Sequence, residues 1–244
     1  MKLDLNDPGI STDLAIYGVR EPLMTEYYQR ELKKIAAEKQ KPIVADVGAN
    51  VGYYAFMPLA LDDSFEVLAI EVEKNNYRQL QENVELNGYE KRITCVNKGV
   101  GSGSGEGNLQ ISDQSNLHTI EKSVKHDGKY KNTETVSIET LPTICQKNGY
   151  SMEDIDVLRM DTEGYEYNIL EGIPDLNAGD GLLINLEIHP TLLGDTGSKI
   201  IDRLEDANAD LIAATWKGKE VKIDQLSDVL DYRWLTLLIN VPGR

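Results

Sequence analysis

The 244 residues, 41% hydrophobic and 27% charged, fit one globular α/β unit able to bury a substantial core. A formal net charge of −16 excludes a broad nucleic-acid surface, because phosphate binding rests on Lys and Arg contacts that release counterions. No apolar run is long enough to cross a membrane, Met1 to Asp13 is acidic and lacks signal-peptide character, and the two cysteines, Cys95 and Cys145, show no metal spacing, which together point to a reduced cytoplasmic setting.

Residues 1–22 read as irregular, with Gly18 to Pro22 leading into a helix. Met24, Tyr27, Tyr28, Leu32 and Ile35 recur at helical spacing to about Ala37, and this helix is expected to pack beside the first strand, covering a cofactor or simply closing the core. The chain so divides into an N-terminal extension and helix, 1–41, and a single globular unit, 42–244.

A short apolar run from Ile43 stops at Asp46, and Gly48 and Gly52 bracket a tight turn before a segment able to start a helix. Glycine permits close approach of a ligand, and N–H groups at a helix start favour carboxylate or phosphate. A dinucleotide fingerprint needs G-x-G-x-x-G, but Asn50 and Tyr53 replace its second and third glycines. An NAD-dependent oxidoreductase is therefore disfavoured. The remaining D-x-G-x-N-x-G resembles motif I of class I S-adenosylmethionine (SAM) methyltransferases, whose loop wraps the methionine end of the cofactor.

Phe65 to Glu71 reads as the second strand, and Glu71 follows Gly52 by 19 positions. An acid so placed accepts hydrogen bonds from both ribose hydroxyls; its bland alternative is a solvated charge at a strand end. Lys74 to Asn87 has helical spacing, with Asn87-Gly88 as its stop. Arg92 to Asn97 reads as a third strand. Short strands over Gly107–Ser112 and Thr133–Ile138 flank a polar insertion, Asp113 to Asn132, containing Ser115 to His118 and expected to be a long loop on the cofactor side.

Ile155 to Glu166 reads as a central strand ending in a D-x-E-G-x-E turn and a helix, with Asp161 at the strand's carboxyl end, where open α/β sheets bind ligands. Gly-Ala-Asn-Val-Gly-Tyr-Tyr, Val-Ser-Ile-Glu-Thr-Leu, Met-Asp-Thr-Glu-Gly-Tyr-Glu and Leu-Glu-Ile-His-Pro, in that order over roughly residues 18–190, resemble the FkbM family of SAM-dependent methyltransferases. The resemblance implies a Rossmann-like seven-stranded, mostly parallel sheet flanked by helices, SAM as methyl donor, and commonly O-methylation of a hydroxyl on a sugar or natural product. Leu141-Pro142 departs from the family's usual Leu-Asp, so no role of that aspartate transfers. Gly181 to Ile188 has the continuous apolar character of a strand buried on both faces, and Asp210–Trp216 and Trp234–Val241 are expected to form an antiparallel edge, the last strand running against the rest.

The cofactor set read from these motifs is Asp46, Gly48, Asn50, Gly52, Tyr54 and Glu71. The ring face of Tyr53 or Tyr54 can steady a sulfonium, or both can be core residues. Asp161 and Glu163 alternate along an extended segment, as do Glu187 and His189. Asp161, Glu163 and His189 are the candidate catalytic groups, with His189 or Asp161 as the base, against a purely structural role; His118 and His126 are weaker. Asp161, Glu187 and His189 also suit Mg²⁺ or Mn²⁺, ranked below a metal-free base. The acceptor is a small molecule or glycan, and the rival functions are an NAD enzyme and a noncatalytic SAM-binding module.

Overall fold

A computed structural model describes residues 1–7, 9–112, 118–120 and 130–244. His126 and Ser115 to Leu117 lie outside the described residues. Strand β1, Ile43–Val47, is buried along its whole length because β2 (Glu66–Ile70) and β8 (Ile155–Met160) pair with it in parallel on either side. Alternation along the strand sends Val44 into one apolar layer and Ala45 and Val47 into the other. From β1 the chain runs outward through β2 to β3 (Ile93–Val96), then returns to lay β8 and β9 (Gly181–Ile188) on the opposite side. That reversal puts a topological switch point between the carboxyl ends of β1 and β8.

The main sheet has the order β11-β10-β12-β9-β8-β1-β2-β3. Seven of these strands give the expected Rossmann-like, mostly parallel arrangement, and the eighth is the two-residue β11, Lys219–Glu220. The last strand, β12 (Leu235–Pro242), is antiparallel and pairs with β10 (Asp210–Trp216) at one end of the sheet as expected, with β9 on its inner side. Its buried apolar run explains the position, since an exposed edge would leave Leu237, Leu238 and Ile239 in water.

Helix α3 (Tyr53–Leu61) starts where Gly52 takes φ +102, and α4 (Lys74–Asn87) starts where the Glu73 carboxylate accepts from the amides of Asn75 and Asn76. Gly88 ends α4 in the left-handed conformation, as read from the sequence. Helices α5 (Leu141–Lys147), α6 (Glu166–Glu171), α7 (Pro190–Leu193) and α8 (Thr196–Asp206) cover the other face. The Leu226 region forms a 3-10 turn, Leu226–Asp231, not an α-helix.

Residues 1–22 are not irregular throughout: α1, Ile10–Tyr17, forms there, with Asp7 accepting from the amides of Gly9 and Ser11 and with Ile10 and Leu14 packed on Val51. Helix α2, Pro22–Glu38, lays Met24, Tyr28 and Leu32 into the apolar layer that also holds Val44 of β1, with α3, β10 and β12 as its main neighbours. The strands expected on either side of the insertion form, while of 113–132 itself only 118–120 and 130–132 lie among the described residues. β4 (Gly99–Val100), β5 (Gly105–Ser112), β6 (Thr119–Ile120) and β7 (Tyr130–Glu139) make a second sheet of order β4-β7-β5-β6, held to the body by Leu109, Val136 and Ile138 against Val72.

Candidate active site

The second sheet, α1 and the carboxyl ends of β1, β2 and β8 enclose a cleft of about 780 Å³. Gly48, Asn50, Tyr54, Glu71, Asp161 and Glu163 all line it, as do Ile10 and Arg20 from the N-terminal extension. Asp46 and Gly52 do not: they lie behind the wall, and their work is structural. Gly48 takes φ +82, and a Cβ there would lie 2.2 Å from the Asp161 carbonyl oxygen. Gly52 is confined in the same way by Phe56 and Leu80.

The amides of Gly48 and Ala49 donate to the Ile70 carbonyl, that of Asn50 to Glu71 Oε2 at 2.8 Å, that of Val51 to Asn50 Oδ1, and that of Gly52 to the Ala49 carbonyl. The loop therefore does not present a nest of N–H groups to an anion, contrary to the expectation from its glycines. What it offers the cleft is a carboxylate. Glu71 is clamped by the Asn50 amide on one oxygen and the Glu73 amide on the other, and burial pushes its carboxyl up to about 7 against those two bonds. Val72, Val100, Leu109 and Ile120 supply an apolar slot beside it, and Thr162 Oγ1, also on the cleft wall, is buried with no hydrogen-bond partner.

A polar row crosses the apolar sheet beneath the loop. Arg159 is the register partner of Asp46 on β1 and of Asn185 on β9. Its guanidinium donates to the Gly48 carbonyl at 3.1 Å and to Asp161 Oδ2 at 2.8 Å, lies 3.5 Å from Asp46 Oδ1, and sits 4.3 Å over the Tyr54 ring. That ring face is thus taken, and the Tyr54 hydroxyl donates to Glu21 Oε2, which makes Tyr54 a packing residue more than a sulfonium contact. Burial pushes the Asp46 carboxyl up to about 6, with Arg159 opposing.

Asp161, Glu163, Glu187 and His189 do come together, though not by the expected route. Glu163 takes φ +52, so the segment after β8 is a turn and not an extended run. His189 Nδ1 lies 3.0 Å from Glu166 Oε1, and Nε2 lies 3.4 Å from Glu163 Oε2 and 3.6 Å from Glu187 Oε1. Burial disfavours the imidazolium, but the hydrogen bond to Glu166 and the three carboxylates lift it to about 10. His189 is consequently charged at neutral pH and has no lone pair for a substrate proton. Burial also works against the Asp161 charge, yet Arg159, Arg20 and His189 outweigh it and hold that carboxyl below its ordinary value. Glu163 is different: it faces the cleft, and burial pushes it up to about 8, so its carboxyl is largely protonated at neutral pH and becomes a proton acceptor as pH rises through that value. His118 lines the cleft too, with Nδ1 accepting from the Ser112 amide.

Arg159, Arg20 and Glu166 were missed as site residues. Arg159 carried a usable signal, a lone cation inside an apolar strand two residues before an acid, which alternation places on the same face. Arg20 carried none, because only the fold brings it to 3.8 Å from Glu187 Oε2.

A family model described as Methyltransferase FkbM domain matches residues 46–211. Methyltransferase sdnD of Sordaria araneosa is 24% identical over 165 residues, which make up 58% of this chain and 64% of that protein. Among solved structures, methyltransferase FkbM from Methylobacillus flagellatus aligns with a TM-score of 0.49 at 17% identity, covering 82% of this chain and 44% of that one. A SAM-dependent methyltransferase from Aquifex aeolicus aligns with a TM-score of 0.44 at 14% identity, covering 98% of this chain and all of that one. The chain spans less than two thirds of the length of the Sordaria and Methylobacillus proteins.

Proposed function

The chain belongs to the methyltransferase FkbM family, and from that premise we propose that it moves the methyl group of SAM to a hydroxyl of a sugar, glycan or natural-product acceptor, with Glu163 as the base. The observation that carries the reading is the cleft at the switch point, with the clamped Glu71 carboxylate on one wall and the Asp161-Glu163 turn on another. SAM supplies an already activated methyl on a positive sulfur, so the protein has to position, desolvate and take up a proton.

The residues fit that cofactor. Glu71 is preset to accept from the ribose hydroxyls, the apolar slot of Val72, Val100, Leu109 and Ile120 suits the adenine ring, and Gly48 lets the loop approach without a side chain in the way. A loop whose amides are internally bonded suits a cationic sulfur better than a pyrophosphate, which weighs against an NAD enzyme. Alignment of the acceptor oxygen can supply most of the acceleration, and a placed base typically adds 10²–10⁴-fold. Asp161 lines the cleft as well, but its pairing with Arg159 makes it an orienting group.

The test pairs binding with turnover. S-adenosylhomocysteine is expected to raise the melting temperature where NADH does not. Glu163→Gln is expected to cut methyl transfer to a hydroxylated acceptor by about 10²-fold or more while leaving nucleoside affinity intact. Near-normal turnover in that variant removes Glu163 from the chemistry.

Glu71 gives a pH signature. Ribose hydroxyls donate to the ionised carboxylate, so binding drives ionisation and protonation weakens binding. With the free carboxyl near 7, S-adenosylhomocysteine affinity should fall by about 10-fold between pH 8 and pH 6, and titration calorimetry of Glu71→Gln should show no such slope. The ligand-free fold runs the other way. A raised carboxyl favours the folded state below its unfolded value and loses that contribution as pH rises through about 7.

A further inference from the structure

We propose that Asp161 Oδ, Glu187 Oε and His189 Nε2 bind one divalent cation of the Mg²⁺ or Mn²⁺ class behind the cleft wall that Asp161 lines, where through that residue it can reach the acceptor oxygen. One ligand atom from each of these side chains lies within 4.8 Å of the others, the one such grouping of three or more His, Cys, Asp or Glu donors among the described residues. Donors around an ion at about 2.1 Å stand up to roughly 4.2 Å apart, so the three close on it with small rotamer adjustments.

Two further observations point to a ligand there. Glu187, its side chain only 9% exposed, is hydrogen-bonded to the Asp161 carboxyl with Arg20 no nearer than 3.8 Å, so two buried acids face each other where a shared cation would hold both. The imidazole is also held as a metal-binding imidazole is held. Its Nδ1 is directed at Glu166 Oε1, whose orientation is fixed in turn by the Gly164 amide at 3.0 Å, leaving Nε2 on the side of Glu187 Oε1 at 3.6 Å and Glu163 Oε2 at 3.4 Å. A carboxylate behind a ligating histidine sets its tautomer and raises its basicity. An ion at Nε2 replaces the proton that the surrounding carboxylates otherwise keep there.

The charge inventory agrees. Asp161, Glu163, Glu166 and Glu187 gather around one imidazole, while Arg159 is shared with Asp46 and Arg20 touches the group from one side. Two carboxylates and one imidazole leave about half of an octahedral shell open, and Asp161 is the donor that faces the cleft. An acceptor hydroxyl entering that shell would have its proton acidified next to Glu163. This role for the ion rests on the methyl-transfer reading, whereas its binding does not.

The test uses the full chain, stripped with chelator and titrated with Mn²⁺ alone. Electron paramagnetic resonance is expected to show one bound Mn²⁺ per chain, and its echo-envelope modulation to show one imidazole nitrogen. Glu187→Gln and His189→Gln should each weaken Mn²⁺ by at least about 10-fold, and Glu166→Gln, acting behind the ligand, by about 10–100-fold, while Glu171→Gln on the exposed end of α6 leaves it unchanged. If these buried variants do not fold, the nitrogen signal of the unmodified chain decides. Absence of stoichiometric binding, or a bound ion without a nitrogen ligand, overturns the site. S-adenosylhomocysteine binding is measured on the same samples, so a chain that takes the ion but not the nucleoside keeps the site and loses the methyl-transfer reading.

Discussion

Gly48→Ala is expected to abolish measurable S-adenosylhomocysteine binding and to destabilise the fold by about 3 kcal/mol or more. Two separate costs combine at this position. The residue takes φ +82, which an L side chain adopts only at a cost of about 1–2 kcal/mol. The new methyl would also stand 2.2 Å from the Asp161 carbonyl oxygen, a backbone atom at the end of β8 that has no rotamer by which to move away. Relief requires the loop after β1 and the turn after β8 to separate, which displaces the Asn50 amide from Glu71 and the Gly48 carbonyl from Arg159 together. Gly88→Ala is the matched control. It shares a positive φ of +69 but meets nothing within 4 Å, so it should cost about 1 kcal/mol and leave binding unchanged. Thermal melts and calorimetry on the two variants separate backbone strain from the close approach, and full nucleoside affinity in Gly48→Ala would mean that the two strand ends do not meet as described.

The same contact shows which parts of the site were readable beforehand. Gly48, Asn50 and Glu71 declared themselves because their spacing is local: a strand, a turn and the next strand end fix their geometry within a few tens of residues. The Rossmann-like, mostly parallel sheet was expected from the family resemblance, while the strand and helix patterns along the chain supplied its elements. Asp46 was misplaced for a physical reason, since an acid at the end of a buried strand looks like a ligand contact whether its partner is a ligand or, as here, a guanidinium across the sheet. Helix α1 escaped because Ile10 and Leu14 bury themselves only on Val51, a surface the first residues do not encode. The acid cluster was half legible. Glu187 and His189 share a face by strand alternation, but Glu163 reaches them through a left-handed turn that no periodicity announces. The carboxylates that surround His189 and favour its charged form were not legible, because their number is a tertiary quantity.

Arg159→Met should cost about 3–5 kcal/mol, a drop in Tm on the order of 10 °C, although the substitution keeps an unbranched side chain of similar length in an otherwise apolar strand. The loss does not come from the contacts of the guanidinium counted one by one. It comes from the acids left behind: Asp46 is fully buried, and Arg159 at 3.5 Å is the cation that faces it. Removing one partner of a buried ion pair strands the other, whereas removing both is far milder. Arg159→Met combined with Asp46→Asn should therefore be more stable than Arg159→Met alone, with an interaction energy of about 0.5–3 kcal/mol read from a double-mutant cycle. Additive losses would show that the pair is not coupled. Arg159→Lys should fall between, because an ammonium keeps the charge but cannot reach the Gly48 carbonyl, Asp46 and Asp161 at once. The same variant should weaken nucleoside binding without touching the cofactor wall, since the bond from Arg159 to the Gly48 carbonyl is what ties the loop after β1 to the acids after β8.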